Sequence, residues 1–143
     1  MSRIKIELPP AWLYSVEIPV RITDINYGHH VGNDSVVAIL HDARFRWLQQ
    51  FGWTELKIGD VGLIMVDLGL RFKAEAGFGD VLRVKLAVSV WNDVGFELVY
   101  QVVKVSDGDE VARAESSMVF FDYTKRRLAR RPDLFRERVE GSP

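Results

Sequence analysis

The chain of 143 residues contains no cysteine. Disulfides, thiolate metal sites and a cysteine nucleophile are excluded in one step. Charge of one sign is also lacking: 19 lysines and arginines against 20 aspartates and glutamates leave a formal net charge of −1. A phosphate backbone is bound by a basic excess, so nucleic acid is not an expected partner. Long apolar runs are missing as well. The longest, about Val61–Val66, falls far short of the roughly 20 residues that a membrane helix needs, so no membrane partner is expected. The opening residues Met1–Glu7 carry no apolar core of a secretion signal. A soluble cytoplasmic protein is the expectation.

What is present suits one globular domain over residues 1–143. Hydrophobic residues make up 48% and charged residues 27%, enough for a proper core. Residues 1–13, with Pro9-Pro10, read as an N-terminal arm. Tyr14–Ile22 then alternates, with Tyr14, Val16, Ile18, Val20 and Ile22 on one face, and reads as a half-buried strand. Pro19 suits an edge or a bulge. From Asp34 the period changes. Val36, Val37, Leu40, Ala43, Trp47, Leu48 and Phe51 fall on one helical stripe of about 17 residues, with Asn33 or Asp34 as N-cap and Gly52 as stop. Four strands follow, over 60–72, 81–91, 96–102 and 111–123, with hairpin signals at Asn92–Gly95 and Asp107-Gly108. Residues 124–143 read as a basic tail, with a short helix after Pro132. One strand, one long helix and four strands predict a two-layer α+β domain.

Between the first strand and the helix lies Thr23–Asp34, which holds two of the three histidines. Polar, ionisable and glycine residues in such a loop are where scaffolds carry chemistry. The plain alternative is that Asp24 and Asn33 make turns and Asp34 caps the helix.

The order of motifs resembles the hotdog-fold acyl-CoA thioesterases of the 4-hydroxybenzoyl-CoA thioesterase type. The residues that carry it are Arg21-Ile-Thr-Asp24-Ile-Asn26, His29-His30-Val31-Gly32-Asn33 and Asp42-Ala43-Arg44. Arg71-Phe-Lys73 through Gly79-Asp80 and Phe121-Asp122-Tyr123 extend the match over residues 14–138. The resemblance implies a single hotdog domain, an antiparallel five-stranded sheet wrapped around one long central helix. It also implies thioester hydrolysis in a cleft between two subunits of a homodimer or homotetramer. This chain departs from the pattern twice: Asn26 stands where the family has its usual catalytic aspartate, and His29 where it has a glycine before the histidine.

Thioester hydrolysis needs a polarised carbonyl and an attacking water. A helix start supplies the first through unpaired N–H groups and the positive dipole end; the matching residue is Asn33, and Gly32 permits close approach. Asn26 cannot take a proton but can hold a water. The candidate bases are His30, Asp24 and Asp42. Asp42 points away from the helix's own sheet, toward solvent or a partner. Tyr27 and Gly28 complete the loop as substrate contacts, and Arg71 and Lys73 are candidates for the phosphates of coenzyme A. A metal site from His29, His30, His41 and Asp24 lacks regular ligand spacing, so no metal or other cofactor is expected. Two other readings stand beside hydrolysis. Asp24-Ile-Asn26-Tyr-Gly-His29 superficially matches hotdog hydratases or dehydratases of acyl thioesters, and Asn26 leaves room for a non-catalytic binding protein. Ile39 and Phe45 lie off the main stripe, and their exposure predicts an oligomer.

Overall fold

The structure, a computed structural model, describes residues 3–141. Its elements run β1 Tyr14–Pro19, a 3₁₀ turn Ile22–Asp24, α1 Asn33–Gln49, β2 Gly62–Phe72, β3 Val81–Asn92, β4 Gly95–Lys104, β5 Glu110–Asp122, β6 Arg127–Leu128 and α2 Asp133–Glu140. This is an α+β fold. The antiparallel sheet has six strands, not five, in the order β1-β3-β4-β5-β2, with β6 paired to β5. The sixth strand is two residues long, too short to leave a period in the sequence.

The β3–β4 and β4–β5 hairpins form where the turn chemistry sits. At the first, Asn92 Oδ1 accepts from the Val94 N–H at 3.1 Å; at the second, Gly108 takes φ +77°, the left-handed region glycine enters freely. β2 does not pair with its sequence neighbour β3. It crosses to β5 and forms one edge of the sheet, while β1 forms the other. Gly95 is required by the β4–β5 approach, since a Cβ there would meet the Met118 carbonyl oxygen at 1.9 Å.

The expected first strand is cut short. Pro19 ends it, and Ile22, expected on the inner face, lies in the 3₁₀ turn with 68% exposure. The helix stripe of Val36, Leu40, Ala43, Trp47 and Leu48 is buried against the sheet, joined by Ile39, which is 3% exposed rather than open. Phe45 does stay exposed. The N-cap is Gly32, with no side-chain cap bond, so neither Asn33 nor Asp34 caps α1. α2 closes one end of the core: Phe135 is fully buried and stacks on Trp53 and Phe96, each at 4.9 Å between ring centres. Residues 3–13 form no helix or strand, yet Ile6 is buried against Ala87 and Val99.

Candidate active site

The loop before α1 is built by its backbone. Ile25 and Val31 bridge as in a tiny hairpin, with the Asn26 N–H donating to the His30 carbonyl at 2.9 Å and the His29 N–H to the Asn26 carbonyl at 3.1 Å. The Gly32 N–H donates to the Asp24 carbonyl at 3.0 Å, and the Val31 N–H to Ala76 at 2.8 Å, which ties the loop to the β2–β3 connection. His29 turns the chain at φ +66°, a left-handed conformation that explains the glycine in the resembling pattern.

Asp24 is the brace of this loop. Its residue is 2% exposed, and its carboxylate accepts from the Arg21 backbone N–H at 2.8 Å and from Arg21 Nη2 at 3.1 Å. Burial pushes the carboxyl pKa up, but the side-chain and backbone hydrogen bonds from Arg21 and its charge outweigh that and hold it below the ordinary range. A carboxylate so engaged is a poor proton acceptor.

Asn26 is exposed, and its Oδ1 accepts from the Gly28 N–H at 2.9 Å, an Asx turn. One amide oxygen lone pair and the whole Nδ2 donor remain for a water. A Cβ on Gly28 would lie 3.2 Å from His30 Nε2 and 3.3 Å from Asn26 Oδ1, so those side chains would have to shift by a few tenths of an ångström to admit it. The His30 and Asn26 side chains thus flank the same backbone spot. His30 Nε2 also lies 3.6 Å from the Glu75 carboxylate, itself 78% exposed. Tyr27 is fully exposed at the loop tip.

At the start of α1 the first intrahelical bond runs from the Val36 N–H to the Gly32 carbonyl at 3.1 Å. The N–H groups of Asn33, Asp34 and Ser35 precede it and have no acceptor among the described residues. With the helix dipole behind them they form an anion-binding end. Beside it lies a cavity of about 260 Å³, lined by His30, Asn33, Val36, Phe72, Lys73 and Val111 among others. Lys73 pairs with Glu110 at 2.7 Å. Arg71 lies opposite Arg113 in the β2–β5 register, and Arg113 reaches the Ile6 carbonyl of the arm. That puts Arg71 on the outer face of the sheet.

Asp42 is not brought to this loop's helix start. Its carboxylate accepts from Arg46 Nε at 2.7 Å, and it lines a second cavity of about 460 Å³ with Arg21, Asp24, His41, Phe45 and Arg46. Within one chain, then, His30, Asn33 and Lys73 border one cavity, and Asp24 and Asp42 border another.

Sequence reasoning overlooked a polar network under the middle of α1. Arg44, 5% exposed, donates from Nε to Glu55 Oε1 at 2.7 Å and from Nη1 to the Tyr100 hydroxyl at 3.2 Å. Tyr100 shares a 2.8 Å hydrogen bond with Ser116, and His41 Nε2 lies 3.7 Å from Glu55 Oε1. Burial pushes the Arg44 guanidinium down, and Tyr100 and Glu55 more than restore it. The signal was the position of Arg44 four residues after Leu40 and four before Leu48, in the buried row. Among the described residues no group of three or more histidines and carboxylates converges to hold a metal ion.

A search of curated protein sequences finds no match. Among solved structures, the chain is similar to Slr0204, a 1,4-dihydroxy-2-naphthoyl-CoA thioesterase from Synechocystis, at 22% identity. That match covers 90% of this chain and 96% of that one, with a TM-score of 0.81. It is similar to SAV2348 from Staphylococcus aureus, solved in complex with CoA, at 18% identity, 95% and 86% coverage and a TM-score of 0.81. It is also similar to BH1999, a gentisyl-coenzyme A thioesterase, at 20% identity, 86% and 99% coverage and a TM-score of 0.76. At such identities the structures speak for a shared fold. The sequence profile of the thioesterase-like superfamily matches residues 20–139, and the chain belongs to that superfamily.

Proposed function

We propose that the protein hydrolyses an acyl-CoA thioester to the free acid and coenzyme A at the start of α1. The observation that carries this reading is the set of unpaired N–H groups on Asn33, Asp34 and Ser35, beside a cavity and next to Asn26. They would receive the oxyanion that forms when water adds to the thioester carbonyl. Asn26 holds that water through its free amide hydrogen-bonding capacity. The proton goes to His30 or to an ionisable group of a second copy, because Asn26 cannot accept it and Asp24 is held by Arg21. Gly28 and Gly32 keep the approach open, Tyr27 borders it, and Lys73 offers positive charge for coenzyme A phosphates, a role that Arg71 on the outer face of the sheet does not share. The reaction as drawn uses no metal or organic cofactor.

Family membership favours hydrolysis over hydration or mere binding. The neighbours that act on 1,4-dihydroxy-2-naphthoyl-CoA and gentisyl-CoA make aromatic acyl groups the first to try. We take the working form to be a homodimer or homotetramer joined at β2, a free edge with Met65, Val66 and Phe72 exposed. A panel of aromatic and straight-chain acyl-CoAs tests the function. Free thiol should appear without added metal. Loss or gain of enoyl absorbance without thiol would instead mean a hydratase, and binding with neither would mean a carrier. A single species near the 16.4 kDa chain mass in sedimentation would contradict the oligomer.

A further inference from the structure

The helix carries a histidine that the reading above does not use. His41 lies in the middle of α1 with its side chain 61% exposed, bordering the 460 Å³ cavity. Its carboxylate neighbour, Glu55 Oε1 at 3.7 Å, is fixed from behind by the buried Arg44 at 2.7 Å. Arg44 in turn rests on Tyr100 and Ser116. The Glu55 backbone is fixed as well, its carbonyl accepting from the Leu63 N–H at 2.6 Å. An imidazole facing open space, with an anchored carboxylate beside it, has the geometry of a general base.

His41 cannot serve its own chain's helix start. Eight residues along α1 correspond to roughly 12 Å, and Asn33 borders the other cavity. Leu63 and Glu55 place the dyad beside the start of β2, the free edge of the sheet. Two copies joined there as antiparallel strands would run their α1 helices in opposite directions. The start of one helix would then face the middle of the other, where His41 stands.

We propose that His41, positioned by Glu55, is the proton acceptor of the reaction, and that it serves the helix start of a second copy. This rests on the thioesterase reading. The ring nitrogen turned away from Glu55 takes a proton from the water held by Asn26, and the oxygen bonds to the thioester carbonyl carbon. The resulting oxyanion collapses, the carbon–sulfur bond breaks, and the leaving thiolate takes the proton back from the imidazolium. Asp42, although adjacent, is already bound to Arg46 at 2.7 Å.

The test uses whichever of benzoyl-CoA and octanoyl-CoA the wild type hydrolyses faster. His41→Gln should lower kcat by about 10²–10⁴ with an unchanged melting temperature, and His41→Gly should be partly rescued by added imidazole. Co-expressing differently tagged Asn26→Ala and His41→Gln chains and isolating the mixed dimer should restore about half the wild-type rate, since one of its two sites is then intact. Near-normal kcat in His41→Gln, or a larger loss in Asp42→Asn, would overturn the proposal. A mixed dimer as inactive as its parents would overturn the assignment to a second copy. No thiol from the wild type with either substrate would overturn the thioesterase reading, and this proposal with it.

Discussion

Two histidines of this protein sit beside carboxylates, and what stands behind each carboxylate differs. Near the loop, His30 faces Glu75, which is 78% exposed and has no further bond among the described residues. In mid-helix, His41 faces Glu55, which a buried arginine grips at 2.7 Å. The first pair lies exposed at the surface, and the second is anchored to the core. The loop, in contrast, is fixed by its backbone: Asn26, His30, Val31 and Gly32 are all held through main-chain bonds. One region therefore presents backbone donors, and the other presents a side chain. An acyl-transfer site needs both kinds, an oxyanion receptor of fixed dipoles and a positioned acid–base group.

The largest effect expected from this contrast is on stability. Arg44→Ala leaves Glu55 without its partner and removes a donor from the buried Tyr100 hydroxyl, and should cost about 3–5 kcal/mol in urea unfolding. Glu75→Gln in the β2–β3 connection should change stability by less than about 0.5 kcal/mol. Equal and small costs would show that Glu55 is no better anchored than Glu75.

A third anchored carboxylate sharpens it. Burial pushes Glu110 up, but hydrogen bonds from Arg113, Lys73 and Gln101 bring its pKa down from 4.5 to about 2. Its folded pKa lies below the unfolded one, so the stability it adds is complete above about pH 4.5 and is lost as pH falls toward 2. Glu110→Gln should flatten that part of the stability–pH curve, a change on the order of 3 kcal/mol by linkage. An unchanged acid limb would show that the Lys73–Glu110–Arg113 cluster does not form.

The smallest effect lies in the loop backbone. His29 occupies φ +66°, so His29→Gly should be neutral or stabilising by up to about 1 kcal/mol. A clear fall in melting temperature would mean that the imidazole itself holds the loop.

Much of this was legible in the sequence, for reasons that differ by element. The α1 stripe from Val36 to Leu48 and the alternation of β3 are local periods set by burial on one face, and both elements formed where expected. The hairpins followed from Asn92–Gly95 and Asp107-Gly108. The pairing of β2 with β5 was not legible, because strand order depends on contacts far apart in the chain. Ile22 continued an alternation that Pro19 had already ended. Asp24 was read as a brace or a base, and only the Arg21 contacts distinguish the two. Glu55 gave no signal at all: it lies in an irregular segment, and its meaning comes from Arg44 and His41, brought to it by the fold.

In the proposed reaction, water held at Asn26 attacks a thioester whose oxyanion rests on the α1 start. Thiol release from the best acyl-CoA of the panel, compared between wild type and Asn26→Ala, tests it most directly. Asn26→Ala should lower kcat by about 10²–10⁴ with the fold intact by melting temperature. Near-wild-type turnover in folded Asn26→Ala would contradict it and move the chemistry away from this loop.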